Sequence, residues 1–206
     1  TAFLIEKSMT GFSTGIKLDK LGMRGSNTSE LIFENCEVPY ENVLGEEGKG
    51  VNVLMSGLDY ERVVLAAGPV GIMASAMDVV VPYIHEREQF GKPIVDFQAV
   101  QLHLADMKMK LDASRLLLYR AVESARSGFP SIGDSSIAKC FANEISREVT
   151  GKAVQIMGGY GYSRDYPVEQ KMRDAWGWGI AGGAIDIQKV NIASSIIGRR
   201  FNQRSI

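Results

Sequence analysis

The sequence predicts an α+β chain: antiparallel strands from part of a larger β unit over residues 1–46, then an all-α, up-down helical bundle over residues 47–206. Three observations predict it. The first forty residues hold short runs rich in β-branched and aromatic residues, TAFLIEK and SELIFENCEVP, separated by glycine-bearing turns. After GEEGKG the apolar spacing becomes helical and stays so. The helical segments are long and their links short, as in a bundle.

A short sheet leaves edges to cover, so the strands of residues 1–46 are expected to be completed elsewhere. Residues 51–88 carry one long apolar pattern, and Gly68-Pro69 is expected to kink or break it, because proline lacks the N–H that a helix interior needs. Phe97, Val100, Leu104, Met107, Leu111, Leu118 and Ala121 follow a 3–4 spacing, with Ser114 filling the one missing step. Ile137, Phe141, Ile145, Val149, Ala153 and Ile156 mark the apolar face of a third helix, which Gly158-Gly159 should end. Asp165-Tyr166-Pro167 opens a short helix, with Asp165 as its cap and Pro167 in its first turn. A final helix runs from about Ala184 to Arg199.

A chain of 206 residues can bury a sizeable core. Its net charge of −1 argues against nucleic acid as a partner, and no uninterrupted apolar run has the length of a membrane span. Cys36 and Cys140 read as reduced thiols rather than a disulfide framework. Thr1 opens directly in a strand-like run with no targeting segment, so the sequence reads as a fragment or a processed chain. His85 and His103 sit in no metal-ligand spacing, and no GxSxG elbow marks a nucleophile, so neither metal nor serine chemistry is expected.

Three stretches carry other chemistry. SGLDYERVVLAAG places Glu61 just ahead of a strongly apolar run, either as a solvated residue paired with Arg62 or Lys49, or as a desolvated carboxylate suited to general-base work. MGGYGYSRDYP holds glycines that either form turns or let a flat cofactor or a diphosphate approach bare backbone. HEREQFGKPIVDFQ is an ordinary interhelical loop, or it offers Arg87 as a phosphate fork, Phe90 as an apolar wall and Gln98 as an amide.

Together these stretches resemble the acyl-CoA dehydrogenase family. KLDKLGMRGSNTSELIFENCEVP is similar to its middle-domain strands. REQFGKPIVDFQ, QIMGGYGYSRDYPVEQKMRDA and the late glycine segment RDAWGWGIAGGAIDIQK are similar to its carboxy-terminal helical domain. The resemblance implies a FAD enzyme that oxidises an acyl-CoA to the trans-2-enoyl-CoA. A carboxylate takes the α-proton, the β-hydride passes to FAD, and electron-transferring flavoprotein reoxidises the flavin. It also implies a homo-oligomer, typically a tetramer, in the bacterial cytoplasm or mitochondrial matrix and not secreted.

Most members carry the base as a late glutamate before Gly-Thr-Ser, and that position falls on Gly182 here, which cannot be a base. The isovaleryl-CoA dehydrogenase branch instead uses a glutamate in a sequence resembling SGLDYERVVLAAGP, which puts the base at Glu61. The resemblance assigns FAD contacts to Arg87 (across a subunit boundary), Gln98, Gln155, Ile156, Met157, Gly158 and Gly159, with Phe90 beside them. Ala184, Ile185 and Asp186 occupy further FAD positions, but Ala184 and Ile185 lack the hydroxyls found there in relatives. Acyl-CoA is expected at Asp59, Tyr60, Arg62, Gly182 and Gly183. The lean wall at Gly182 suits a 3-methyl branch; alternatives are a longer citronellyl-CoA-type substrate, or a catalytically silent scaffold or oligomerisation domain.

Overall fold

Strands in the computed structural model, which describes residues 1–126, 128–199 and 201, are shorter than the sequence patterns that predict them. The first four of them lie in Thr1–Leu58, one of two compact units. Strand β1 (Ala2–Phe3) pairs antiparallel with β4 (Val43–Leu44), and β2 (Phe12–Thr14) pairs with β3 (Leu31–Phe33). TAFLIEK thus yields two strand residues; beyond them Leu4 is held to Asn42 by its own amide and by the Asn42 side chain, each at 2.8 Å. The β2–β3 ladder is fixed by the opposed Phe12 and Phe33, whose rings lie 5.2 Å apart.

The second unit, Asp59–Ile206, is helical. Helix α1 (Gly50–Glu86) begins in the first unit and runs unbroken through Gly68-Pro69, with Pro82 also inside it. The expected break does not occur. Val63, Ala66, Val70, Met73, Ala76, Val80 and Ile84 lie buried at 3–4 spacing on both sides of Pro69, and the burial of that continuous face offsets one lost helix hydrogen bond.

By length and composition this helix is apolar enough to cross a bilayer, with a window of mean hydropathy 1.9. Its inner face joins the core shared with the next two helices, the arrangement of a core helix in a bundle.

A hairpin of β5 (Glu88–Gln89) and β6 (Lys92–Pro93) follows, turned by Phe90 and Gly91, both in the left-handed region. Helix α2 (Gln98–Glu123) buries Met107, Leu111, Ser114, Leu118 and Ala121, as its spacing predicts.

Helix α3 (Ile132–Met157) starts at Ser131, whose hydroxyl accepts from the Asp134 amide, and stops at Gly158 with φ +57°. It departs from expectation in which face is buried. Ile137, Phe141, Ile145 and Ile156 are only half-buried, whereas Ala138, Lys139, Ala142, Asn143, Ser146 and Thr150 are fully enclosed. The cause is its position: α2 covers one side, while α5 (Val168–Trp178) and α6 (Ile185–Ile197) cover the other. The Asn143 amide nitrogen and the Ser146 and Thr150 hydroxyls donate back to carbonyls about one turn earlier, while the buried Asn143 Oδ1 has no hydrogen-bond partner among the described residues.

A short helix not foreseen in the sequence, α4 (Gly159–Tyr162), links α3 to α5. Asp165 does not cap α5: its carboxylate accepts from the Ser163 hydroxyl at 2.9 Å, and Pro167 stands at the N-cap.

Candidate active site

Two clusters form within the helical unit. The first surrounds Glu61, an exposed residue on α1 rather than one sunk among apolar side chains. Neither basic partner that the sequence offers is paired with it: Arg62 is bound to Asp59, with both side chains largely buried, and Lys49 to Glu46 at 2.6 Å. Tyr60 donates its hydroxyl to the Gly128 carbonyl at 3.0 Å and packs its ring 5.5 Å from Phe129.

Facing Glu61 is the loop after α5. Gly182 and Gly183 take φ +59° and +96°, a region L side chains rarely adopt. A Cβ at Gly182 would overlap the Leu65 side chain and stand 3.2 Å from the carboxyl carbon of Glu61. The carboxylate of α1 therefore lies directly against bare backbone at position 182.

Beneath this loop is Lys139 of α3, 0% exposed, whose ammonium donates to the carbonyls of Ala181 and, at 2.6 Å, Gly183. Burial pulls its amine down to about 8, with Glu61 opposing the shift and Arg62 adding to it. Gln188, also fully buried, donates to Gly183 O at 3.3 Å and accepts from the Ser136 hydroxyl at 3.1 Å.

The two tryptophans brace the approach to the loop. Trp176 lies under the Arg147 guanidinium at 4.3 Å, and Trp178 lies against Gly68, where a Cβ would come within 2.6 Å of the ring. Ala184 caps α6 with no side-chain bond, and Ile185 and Asp186 begin its first turn.

The second cluster is a cleft of about 660 Å³ lined by Arg87, Ile156, Met157, Gly158, Gly159 and Tyr160, among others. Arg87 stands 5.7 Å from the Tyr160 ring, and Tyr83 donates to Met157 O at 3.3 Å, its phenol pushed above its ordinary value mainly by burial. Where Cβ atoms would stand on Gly158 and Gly159 there is open space within 4 Å. A cation beside bare backbone and an aromatic ring fits a flat cofactor that carries a diphosphate. Phe90, 93% exposed at the hairpin tip, and the exposed Gln98 and Gln155 do not line this cleft. Among the described residues, no group of three or more His, Cys, Asp or Glu is placed to hold a metal.

Comparison with known proteins is decisive at this point. Residues 48–197 match the family model described as acyl-CoA dehydrogenase, C-terminal domain. The chain belongs to the acyl-CoA dehydrogenase family.

Among relatives, it is 53% identical over 201 residues to a mitochondrial 2-methylacyl-CoA dehydrogenase of Solanum tuberosum, covering 98% of this chain and 48% of that protein. It is 52% identical, over the same shares, to a mitochondrial isovaleryl-CoA dehydrogenase of Oryza sativa subsp. japonica. The solved butyryl-CoA dehydrogenase of Megasphaera elsdenii superposes with a TM-score of 0.91 at 43% identity, over 95% of this chain and 51% of that one. The chain thus spans about half the length of the relatives it matches.

Within this acyl-CoA dehydrogenase chain, the sequence points to Glu61, Asp59, Arg62, Gly182 and Gly183, and the fold gathers them in one place. It does not point to Lys139 or Gln188. The available signal is the stripe Lys139, Asn143, Ser146 and Thr150, polar at helical spacing, which by pattern alone marks a solvated face.

Proposed function

We propose that the chain is the carboxy-terminal part of a FAD-dependent acyl-CoA dehydrogenase. In it Glu61 removes the α-proton of a 3-methyl-branched acyl-CoA, giving the trans-2-enoyl-CoA. One observation carries this: the Glu61 carboxylate lies against Gly182, the position where the family resemblance puts the base of most relatives. On this reading the base stands on α1 instead of on the loop after α5, yet reaches the same place.

Glu61 takes the α-proton onto its carboxylate, and the electron pair of that C–H bond becomes the new C=C bond as the β-hydrogen leaves with its own pair. FAD would supply the acceptor for that hydride; Arg87 and the Ile156–Gly159 backbone, roughly 39 Å from Glu61 along α1, would hold the FAD of a neighbouring subunit. Asp59 pairs with the buried Arg62 and neutralises its charge. Glycine at 182 and 183 lets the Leu65, Glu61 and Gln188 side chains close against the loop backbone.

The relatives named for 2-methylacyl-CoA and isovaleryl-CoA support a short branched substrate. Electron-transferring flavoprotein as acceptor, a tetramer that completes the FAD site, and a bacterial-cytoplasmic or mitochondrial location follow from the same resemblance.

The test is anaerobic mixing of the full-length, FAD-loaded protein with isovaleryl-CoA while flavin absorbance is followed. Glu61→Gln is expected to slow bleaching by about 10²–10⁴-fold. Bleaching at the wild-type rate would falsify the base assignment. The small residues Gly177, Gly179, Ala181 and Gly182 in the sequence suggest a second reading, a longer branched terpenoid acyl group. Faster bleaching by citronellyl-CoA than by isovaleryl-CoA would select it.

A further inference from the structure

Lys139 has no part in the chemistry above, yet it heads the fully buried side chains by size. Burying a lysine is costly unless its charge and its N–H groups are met. Here they are met by two carbonyls that bracket a single residue: Ala181 on one side of Gly182 and Gly183 on the other. Two successive left-handed glycines have no side chains to hold their conformation, so the loop depends on ties of this kind. The carboxyl group of Glu61 rests on the backbone so held.

We propose that Lys139 is a positioning residue for Glu61: it ties down the backbone of residues 181–183, and that backbone fixes where the carboxylate stands. The inference rests on Glu61 being the base. Glu61 and Arg62 of α1 are the charged groups that bear on the amine. A neutral amine keeps two N–H donors, one for each carbonyl, so the tie survives deprotonation of Lys139.

The test reads proton transfer alone. The full-length, FAD-loaded protein is incubated in D₂O with 3,3-dimethylbutyryl-CoA, which has α-hydrogens but no β-hydrogen, and deuterium uptake at the α-carbon is followed by mass spectrometry. Glu61→Gln is expected to lose at least about 100-fold of the exchange rate, and Lys139→Met about 10-fold or more, with affinity for the probe little changed. Because Lys139 acts through Glu61, the double variant should be no slower than Glu61→Gln alone. Lys139→Gln, which keeps amide N–H donors, should recover part of the rate.

Wild-type exchange in Lys139→Met, or losses that multiply in the double variant, overturns the proposal while leaving the base assignment intact. Wild-type exchange in Glu61→Gln removes the base assignment itself, and this inference with it. If Lys139→Met does not fold, the same cycle is run with Lys139→Gln, and multiplying losses again overturn the proposal.

Discussion

Gly68→Ala sets two effects of opposite sign against each other. In a helix interior, alanine for glycine is worth about 0.8–1 kcal/mol of added stability. At position 68, however, a Cβ would stand 2.6 Å from Cη2 and Cζ2 of Trp178 and 2.7 Å from Cε2. Carbon atoms in contact prefer about 3.5–4.0 Å, so the ring would have to retreat by about 1 Å. Overpacking of this kind costs about 1–3 kcal/mol, which leaves a net loss of about 1 kcal/mol. The displacement also has a direction: Trp178 ends α5, and the next residues lead into the loop that faces Glu61. The variant is therefore expected to unfold at lower denaturant concentration and to bleach its flavin more slowly with isovaleryl-CoA. Equilibrium urea unfolding and anaerobic stopped-flow on the full-length protein measure the two. A variant more stable than wild type by about 1 kcal/mol, with an unchanged bleaching rate, would refute the argument that Gly68 is there to seat the Trp178 ring.

Two further outcomes can be checked. Arg87→Ala removes the cation from the cleft beside Gly158 and should weaken FAD retention by about 10–100-fold, the worth of a charged hydrogen bond; a flavin-to-protein ratio unchanged after dialysis counts against the assignment. Lys139 carries a pH signature: its amine sits at about 8 when folded against an ordinary value of 10.5, so between these values the unfolded chain binds more protons. Stability attributable to this group therefore rises with pH from about 8 to 10.5, by at most about 1.4 kcal/mol per pH unit, and is flat below. Denaturant titrations of wild type and Lys139→Gln across that range should diverge, and parallel curves would contradict the shift.

Much of the architecture is legible in local spacing. The apolar series on α2 names its buried face almost residue for residue, and Gly158 marks the end of α3, where the chain takes a positive φ that glycine adopts without strain. Helix α1 shows where local rules give way: Pro69 reads as a break, but the buried face around it keeps the helix whole. The clearest failure is α3. Amphipathicity assumes one wet face, and a central helix wrapped on both sides has none, so the polar stripe headed by Lys139 is hidden from pattern reasoning. At the site, Glu61 and Gly182 are brought together by resemblance rather than by spacing. Phe90, Gln98 and Gln155 resemble cofactor contacts, yet none of them lines the cleft that holds Arg87.

The placement of Trp176 and Trp178 has one more consequence. They are the only tryptophans in the sequence, both at the end of α5, one under a guanidinium and the other against the helix that carries Glu61. All tryptophan emission from this chain therefore originates within a few residues of the Gly182 loop. A shift in that loop is expected to register in the emission of Trp178, four residues before Gly182. The end of α5 is thus a built-in fluorescent label for the Gly182 loop.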